Sequence, residues 1–398
     1  MAMPSTISTS MMRTYKMMGF ISPSFGRRRE EVVMNLRHTI TIVAAMTFLT
    51  CLPVQASVVT DGTVGPGVSL PGPDYQISDT LVTSAGANLF HSFARFDLNS
   101  SESATFSGPD SVTNIISRVT GGASTINGQL RSLIPGADLY LLNPAGILFG
   151  EQAVLDLQGS FYASTADYLA LGDNGRFDTA SPTNSLLTSD PPTAFGFLTT
   201  EPATISIQDS LLNLEQPGNI NLVAGSLQLS DSVDQQILRT AAGDINLVAG
   251  GGGEVGVNPG LAEQTLSSRG DLILSGSEVQ QSAQLFADGG GRIFISAGRL
   301  FGEHAGVMTS TVGDVPGGDI LVAAETVSLD GGFLATTSSG MEQAGSIVVD
   351  SASIEVVNGH FAISYSEGGG DSGSIRLNGE NNVLIGLGSF LYTDASDL

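Results

Sequence analysis

From residue 218 onward one phrase keeps returning: a glycine, a small or charged residue, then an alternating apolar run. It appears as Gly218-Asn219-Ile220, Gly243-Asp244-Ile245, Gly270-Asp271-Leu272, Gly291-Arg292-Ile293, Gly318-Asp319-Ile320, Gly345-Ser346-Ile347 and Gly373-Ser374-Ile375. The spacings are 25, 27, 21, 27, 27 and 28 residues. A period of this length marks a repeat architecture, because a single unit cannot bury its own apolar face. Each of the last three repeats holds three short strand-like runs, such as Ile320-Leu321-Val322, Val327-Ser328-Leu329 and Phe333-Leu334-Ala335. Three strands per ~27 residues make one coil of a parallel β-helix with three faces, alternate residues pointing inward to stack on neighbouring coils. A propeller blade needs about 40 residues, and a leucine-rich repeat needs a regular leucine-asparagine signature, so neither fits.

This register carries expectations. The repeated glycines are expected at tight corners that need positive φ. If Gly270, Gly291 and Gly318 mark successive coils, Asp271, Arg292 and Asp319 stack as acid, base, acid at about 4.8 Å, with Asp244 below Asp271. Asp244, Asp271 and Asp319 are expected to bond nearby backbone N–H groups as Asx turns. A calcium ion shared between corners is the alternative. Gly250 to Gly253 reads as a loop, since no phosphate-binding lysine follows it.

Composition supports an elongated fold. The 398 residues include 50 glycines and no tryptophan, and only 14% are charged. Valine, isoleucine, leucine and phenylalanine recur too often for disorder. The net charge is −24, and beyond residue 56 the only basic residues are scattered arginines. Nucleic acid is therefore excluded as a partner. Surplus negative charge keeps an edge-rich β protein soluble.

The N-terminus reads as an export signal. Arg37 and His38 precede an apolar run from Ile40 to Leu52, followed by Pro53 and the small-x-small ending Val54-Gln55-Ala56. The run is too short for a membrane span of ~20 residues. Residues 1–56 are expected to be a signal peptide cut between Ala56 and Ser57. Arg27, Arg28 and Arg29 belong to an extended basic region, or translation starts at Met34. Thr50 argues against lipidation of Cys51. Cys51 is the only cysteine and leaves with the signal, so no disulfide, cysteine-zinc site or thiol nucleophile is expected.

Residues 57 to about 200 lack the clean repeat but carry distinctive strings. These are Asn88-Leu89-Phe90-His91-Ser92-Phe93, Ile115-Ile116-Ser117-Arg118-Val119-Thr120-Gly121-Gly122, and Leu139-Tyr140-Leu141-Leu142-Asn143-Pro144-Ala145-Gly146-Ile147. Leu139 to Leu142 reads as a strand buried on both sides, and Asn143-Pro144-Ala145-Gly146 as a tight turn. Together with Ser160 to Ala166, these strings resemble the haemagglutination-activity domain of two-partner secretion exoproteins, the filamentous haemagglutinin family. In that family a turn reading Asn-Pro-Asn-Gly-Ile follows an apolar strand. Here Asn143, Pro144, Gly146 and Ile147 match it, and Ala145 departs from it with the loss of a side-chain hydrogen bond. A second family turn, Asn-Pro-Asn-Leu, has only a distant counterpart in Asn258-Pro259-Gly260-Leu261, which reads as an unrelated loop.

The resemblance implies an all-β, right-handed parallel β-helix with an N-terminal cap. It divides the chain into a signal (1–56), a two-partner secretion domain (57–210) and β-helix repeats of about 27 residues (211–398). It implies an exported adhesin whose partner is an outer-membrane β-barrel transporter with periplasmic domains, with host or matrix surface ligands beyond that. A structural surface or matrix protein without this transporter is a second reading.

The fold alone also accommodates polysaccharide lyases and hydrolases. However, His91, His304 and His360 share no motif, and His91 sits among aromatics like a packed core residue. No catalytic residues, metal site or cofactor are expected. The chain stops at Leu398 just after a coil, so either further sequence or another kind of cap is expected there.

Overall fold

The computed structural model describes residues 57–232, 236–259, 264–277, 283–359, 362–386 and 388–396. The expected export signal with Ala56 and Cys51, and Gly260, Leu261 and His360, lie outside the described residues. The described chain is a β-solenoid of about 11 turns. Among the described residues there is no α-helix, only strands and two short 3-10 turns.

Along the first face, Asn88–Phe96 pairs in parallel with Asn114–Val119, followed by Asp138–Leu142, Phe161–Ser164, Ile220–Ala224 and Ile245–Gly251. The stack continues through Ile293–Glu303, Ile320–Asp330, Ile347–Val357 and Ile375–Ile385. The second face runs from Ser124–Ile126 through Ile147–Phe149, Thr204–Gln208, Ser226–Ser230 and Asp271–Ser275 into the second halves of those long strands. The third face is split into a four-stranded sheet ending at Val154–Asp156 and a seven-stranded one beginning at Leu212–Leu214. In the last repeats the first two expected runs fuse into one bent strand, as in Ile320–Asp330, and the third becomes Phe333–Ser338.

Period-two alternation makes this stacking cohesive. Ile220, Ile245, Ile293, Ile320 and Ile347 occupy one register column and are all fully buried. Each such burial contributes roughly 1.5–3 kcal/mol. The first coil is closed by antiparallel strands: Thr83–Ala85 pairs with one half of Asn88–Phe96, and Val58–Thr60 with the other. This is the N-terminal cap, and it removes an edge that would otherwise invite aggregation.

The repeated glycines have a different cause from the expected positive φ. Gly243, Gly291, Gly318, Gly345 and Gly373 have ordinary backbone angles. A Cβ on any of them would stand 1.9–2.1 Å from the carbonyl oxygen of the glycine one coil earlier. Close approach of backbone to backbone, not a turn conformation, demands glycine there.

The register also differs. Gly270 is not in this column: it follows Gly225 in a second one, where its own Cβ would meet the Gly225 carbonyl oxygen at 1.7 Å. Asp271 accordingly pairs with Arg299, at 2.6 Å, not with Arg292. Arg292 stands on Asp244, to which its guanidinium donates at 2.8 Å. That bond raises the Arg292 pKa, and Asp319 on the next coil adds to it. An acid, base, acid column does exist, but it reads Asp244, Arg292, Asp319. The cause is a segment inserted between Ala249 and Gly270, whose neck closes with Gly270 N–H donating to Ala249 O at 3.0 Å.

Of the Asx turns expected at Asp244, Asp271 and Asp319, those at Asp244 and Asp319 are cross-coil bonds, a pattern Asp138 and Asn219 share, while Asp271 bonds the Arg299 side chain instead. Asp138 Oδ1 accepts from Ser160 N–H (2.8 Å), Asn219 Oδ1 from Asp244 N–H (2.8 Å), Asp244 Oδ1 from Arg292 N–H (2.8 Å) and Asp319 Oδ1 from Ser346 N–H (2.7 Å). Charge reversal at Arg292 is expected to cost about 1 kcal/mol or less, since the pair is largely exposed. Thermal melts at low and high salt check this: the loss should shrink as salt screens the column.

Outside the coils lies a second layer. Tyr168–Leu171, Gly175–Asp178 and Pro192–Phe197 form an antiparallel sheet, to which the later insertion adds Gly253–Gly256. Its inner side packs on outward residues of the first face, burying Phe90, Ile116, Tyr140, Leu142, Tyr162, Phe177 and Phe195 in a second core.

Candidate secretion-recognition turn

Asp138–Leu142 explains its continuous apolar sequence: Leu139 and Leu141 enter the solenoid core, while Tyr140 and Leu142 enter the second core. With both sides covered, the strand cannot slip by one residue, so the corner after it is fixed. That corner is Asn143-Pro144-Ala145-Gly146.

Asn143 is fully buried. Its N–H donates to Ser164 O at 2.9 Å, and its carbonyl accepts from Gly146 N–H at 3.0 Å, closing a β-turn. Its Oδ1 accepts from Ala145 N–H at 2.9 Å, while Nδ2 donates to Gly122 O (3.1 Å) and Ser124 Oγ (3.0 Å) in the preceding coil. Gly146 has φ +110°, a value that favours glycine. Ile147 is buried and opens the next strand. Only the tip reaches solvent: Pro144 is half-buried and Ala145 exposed. The turn therefore closes without a polar side chain at Ala145. Ser57, the expected first residue after cleavage, already accepts from Asp97 N–H at 3.0 Å.

Beside the turn is a hydrogen-bond network around a buried arginine that the sequence did not reveal. Arg118 is fully buried. It donates from Nε to Ser92 Oγ (2.7 Å), to Ser185 Oγ (2.7 Å) and Thr63 Oγ1 (2.8 Å), and to Asp178 O. Its guanidinium lies 4.2 Å from the Phe177 ring centroid. Burial lowers its pKa to about 10, against the pull of Asp61 and Asp178, so it stays charged at neutral pH. Burial pushes the Asp61 carboxyl up, but hydrogen bonds from Ser92, Thr63 and Thr120 outweigh it and leave the group more acidic than usual. Arg118 thus ties three parts together: the segment after the first cap strand (Thr63), the coils (Ser92, which in turn donates to Asp61) and the outer sheet with the turn beside it (Asp178, Ser185). A lone arginine inside an apolar strand was the one available signal.

Asn88 works similarly, donating to Thr188 O (3.0 Å) and Asp190 O (2.7 Å) while accepting from Asn114 (2.8 Å). The two described histidines are not brought together. His91 lies in the core of the first coil, out of reach of any polysaccharide, and His304 at a later corner with φ +51°. Asn258 and Pro259 lie in the later insertion, away from the Asn143 turn in the coil order.

No curated protein matches the chain. Among solved structures it is similar to the secretion domain of HMW1 from Haemophilus influenzae, with 15% identity and a TM-score of 0.47, over 86% of this chain and 97% of that one. A family model, that of the TPS secretion domain, matches residues 55–315, about two thirds of the chain. The chain therefore belongs to the TPS secretion domain family: it is a two-partner secretion exoprotein, recognised by an outer-membrane transporter and passed across that membrane.

Proposed function

We propose that the chain is an adhesin exported in two steps. Residues 1–56 take it across the inner membrane and are cut off between Ala56 and Ser57, leaving the cap strand Val58–Thr60 whole. The transporter then reads residues 57–210 at the Asn143 corner, and the coils of 211–398 display the adhesive surface outside the cell, toward host or matrix ligands. The single observation that carries the reading is the division of labour in the turn: Asn143 is buried and fully bonded, while Pro144 and Ala145 form an exposed tip.

Co-expression with the cognate transporter tests it. Ala145→Arg is expected to leave stability within about 0.5 kcal/mol, as exposed substitutions do. Secretion should fall about tenfold, which corresponds to about 1.4 kcal/mol of lost recognition. Asn143→Ala should instead cost about 2–3 kcal/mol of stability, because it strips bonds from buried groups. Normal secretion of Ala145→Arg would remove the tip from the recognition surface. Secreted material should begin at Ser57, and cells displaying it should adhere better than cells lacking it.

A further inference from the structure

His91 occupies an unusual place. It points into the solenoid core from Asn88–Phe96 and is 1% exposed. Its ring stacks on Phe93 at 6.0 Å and meets the edge of Phe106 at 5.3 Å. Neither ring nitrogen has a hydrogen-bond partner among the described residues, and neither does the buried hydroxyl of Ser117, its register neighbour on the next coil. An imidazole so placed is tolerable only while neutral. No charge is at hand to receive a proton there. Ser103–Phe106 carries no ionisable side chain. The one on Asn114–Val119, Arg118, is directed to Ser92 and Asp178, and Arg95 on His91's own strand is half-exposed and paired with Asp97. Position matters as well. His91 is in the first coil, whose outer edge is held by the two short cap strands Val58–Thr60 and Thr83–Ala85 and not by a further full coil, and structure of this kind can open locally while the coils beyond it stay paired.

We propose that His91 makes the N-terminal coils the acid-sensitive part of this solenoid: protonation expels the imidazole and opens these coils locally, while the distal coils stay paired. Burial alone depresses the His91 pKa, to about 3 from 6.5. For a base depressed in this way, the opened state binds the proton and the closed state does not anywhere between those values. Stability of the closed coils is therefore full above pH 6.5 and falls as the pH drops below it, with the opening equilibrium shifting about tenfold per pH unit. Neighbouring acids do not mimic this. The depressed carboxyls of Asp61 and Asp74 lose their contribution only below about 3.8. Asp138, raised by burial, favours the closed form as pH falls.

Native-state hydrogen exchange of the exported chain at pH 7, 6 and 5, corrected for the pH dependence of intrinsic exchange, tests the proposal. Protection in Asn88–Phe96 and Asn114–Val119 should fall about tenfold per unit below 6.5, while Ile320–Asp330 and Ile347–Val357 hold theirs. His91→Leu, similar in volume, should abolish the acid loss, and His91→Met serves if that variant does not fold. His304→Asn, at a position where asparagine tolerates the positive φ, should leave the loss in place. Equal protection at pH 7 and pH 5, simultaneous opening of all coils, or an undiminished acid loss in the His91 variants would each overturn it.

Discussion

Alanine at Gly318 is expected to destabilise the protein by about 3 kcal/mol or more, at the upper end of what overpacking does. The added Cβ would sit 1.9 Å from the Gly291 carbonyl oxygen, and both atoms belong to backbones already fixed by strand pairing. No flexible side chain can move aside. Relief requires parting two coils, which weakens the paired columns on either side. Gly122→Ala is the matched control: nothing lies within 4 Å of its Cβ position, and its φ is ordinary. That change should be neutral or stabilise by about 0.4–1 kcal/mol, through the lower entropy of the unfolded chain. Urea denaturation of both variants decides the matter. Similar losses at the two sites would show that close approach is not what the glycine column serves.

Replacing Arg118 should have an effect of the same order. Arg118→Met keeps the stem but leaves the Asp178 carbonyl and the Ser92, Thr63 and Ser185 hydroxyls without their donor, and each buried group left unsatisfied costs about 1–3 kcal/mol. Arg118→Lys should recover only part of this, because an ammonium cannot reach four acceptors from one planar fork. Because Arg118 joins the segment after the first cap strand to the outer sheet, the loss should appear as earlier proteolysis around residues 61–63 and 178–185 together. Cleavage confined to one of these segments would mean that the network does not couple them.

The solenoid itself was legible in the sequence, and the reasons are local. Period-two alternation and a returning glycine are written within single repeats, and Leu139 to Leu142 showed both its buried sides through having no polar residue. What could not be read depended on distant chain. The Asp271 register failed because spacing counts residues, and the segment between Ala249 and Gly270 adds residues without adding a coil. The Arg118 site failed because its partners lie at positions 61, 63, 92, 178 and 185, with no shared motif. The Asn143 turn was found, yet its side chain proved to be the foundation and its neighbours the exposed part.

That inserted segment has a consequence for how such chains can change. It leaves at Ala249 and returns at Gly270, and the strands before and after it pair as though nothing intervened. Lengthening a loop with a closed neck costs little, about 0.6 kcal/mol per doubling. Corners of the solenoid are therefore places where a lineage can accumulate new surface while the scaffold beneath keeps its geometry. Here the segment between Ala249 and Gly270 supplies Gly253–Gly256, the fourth strand of the outer sheet.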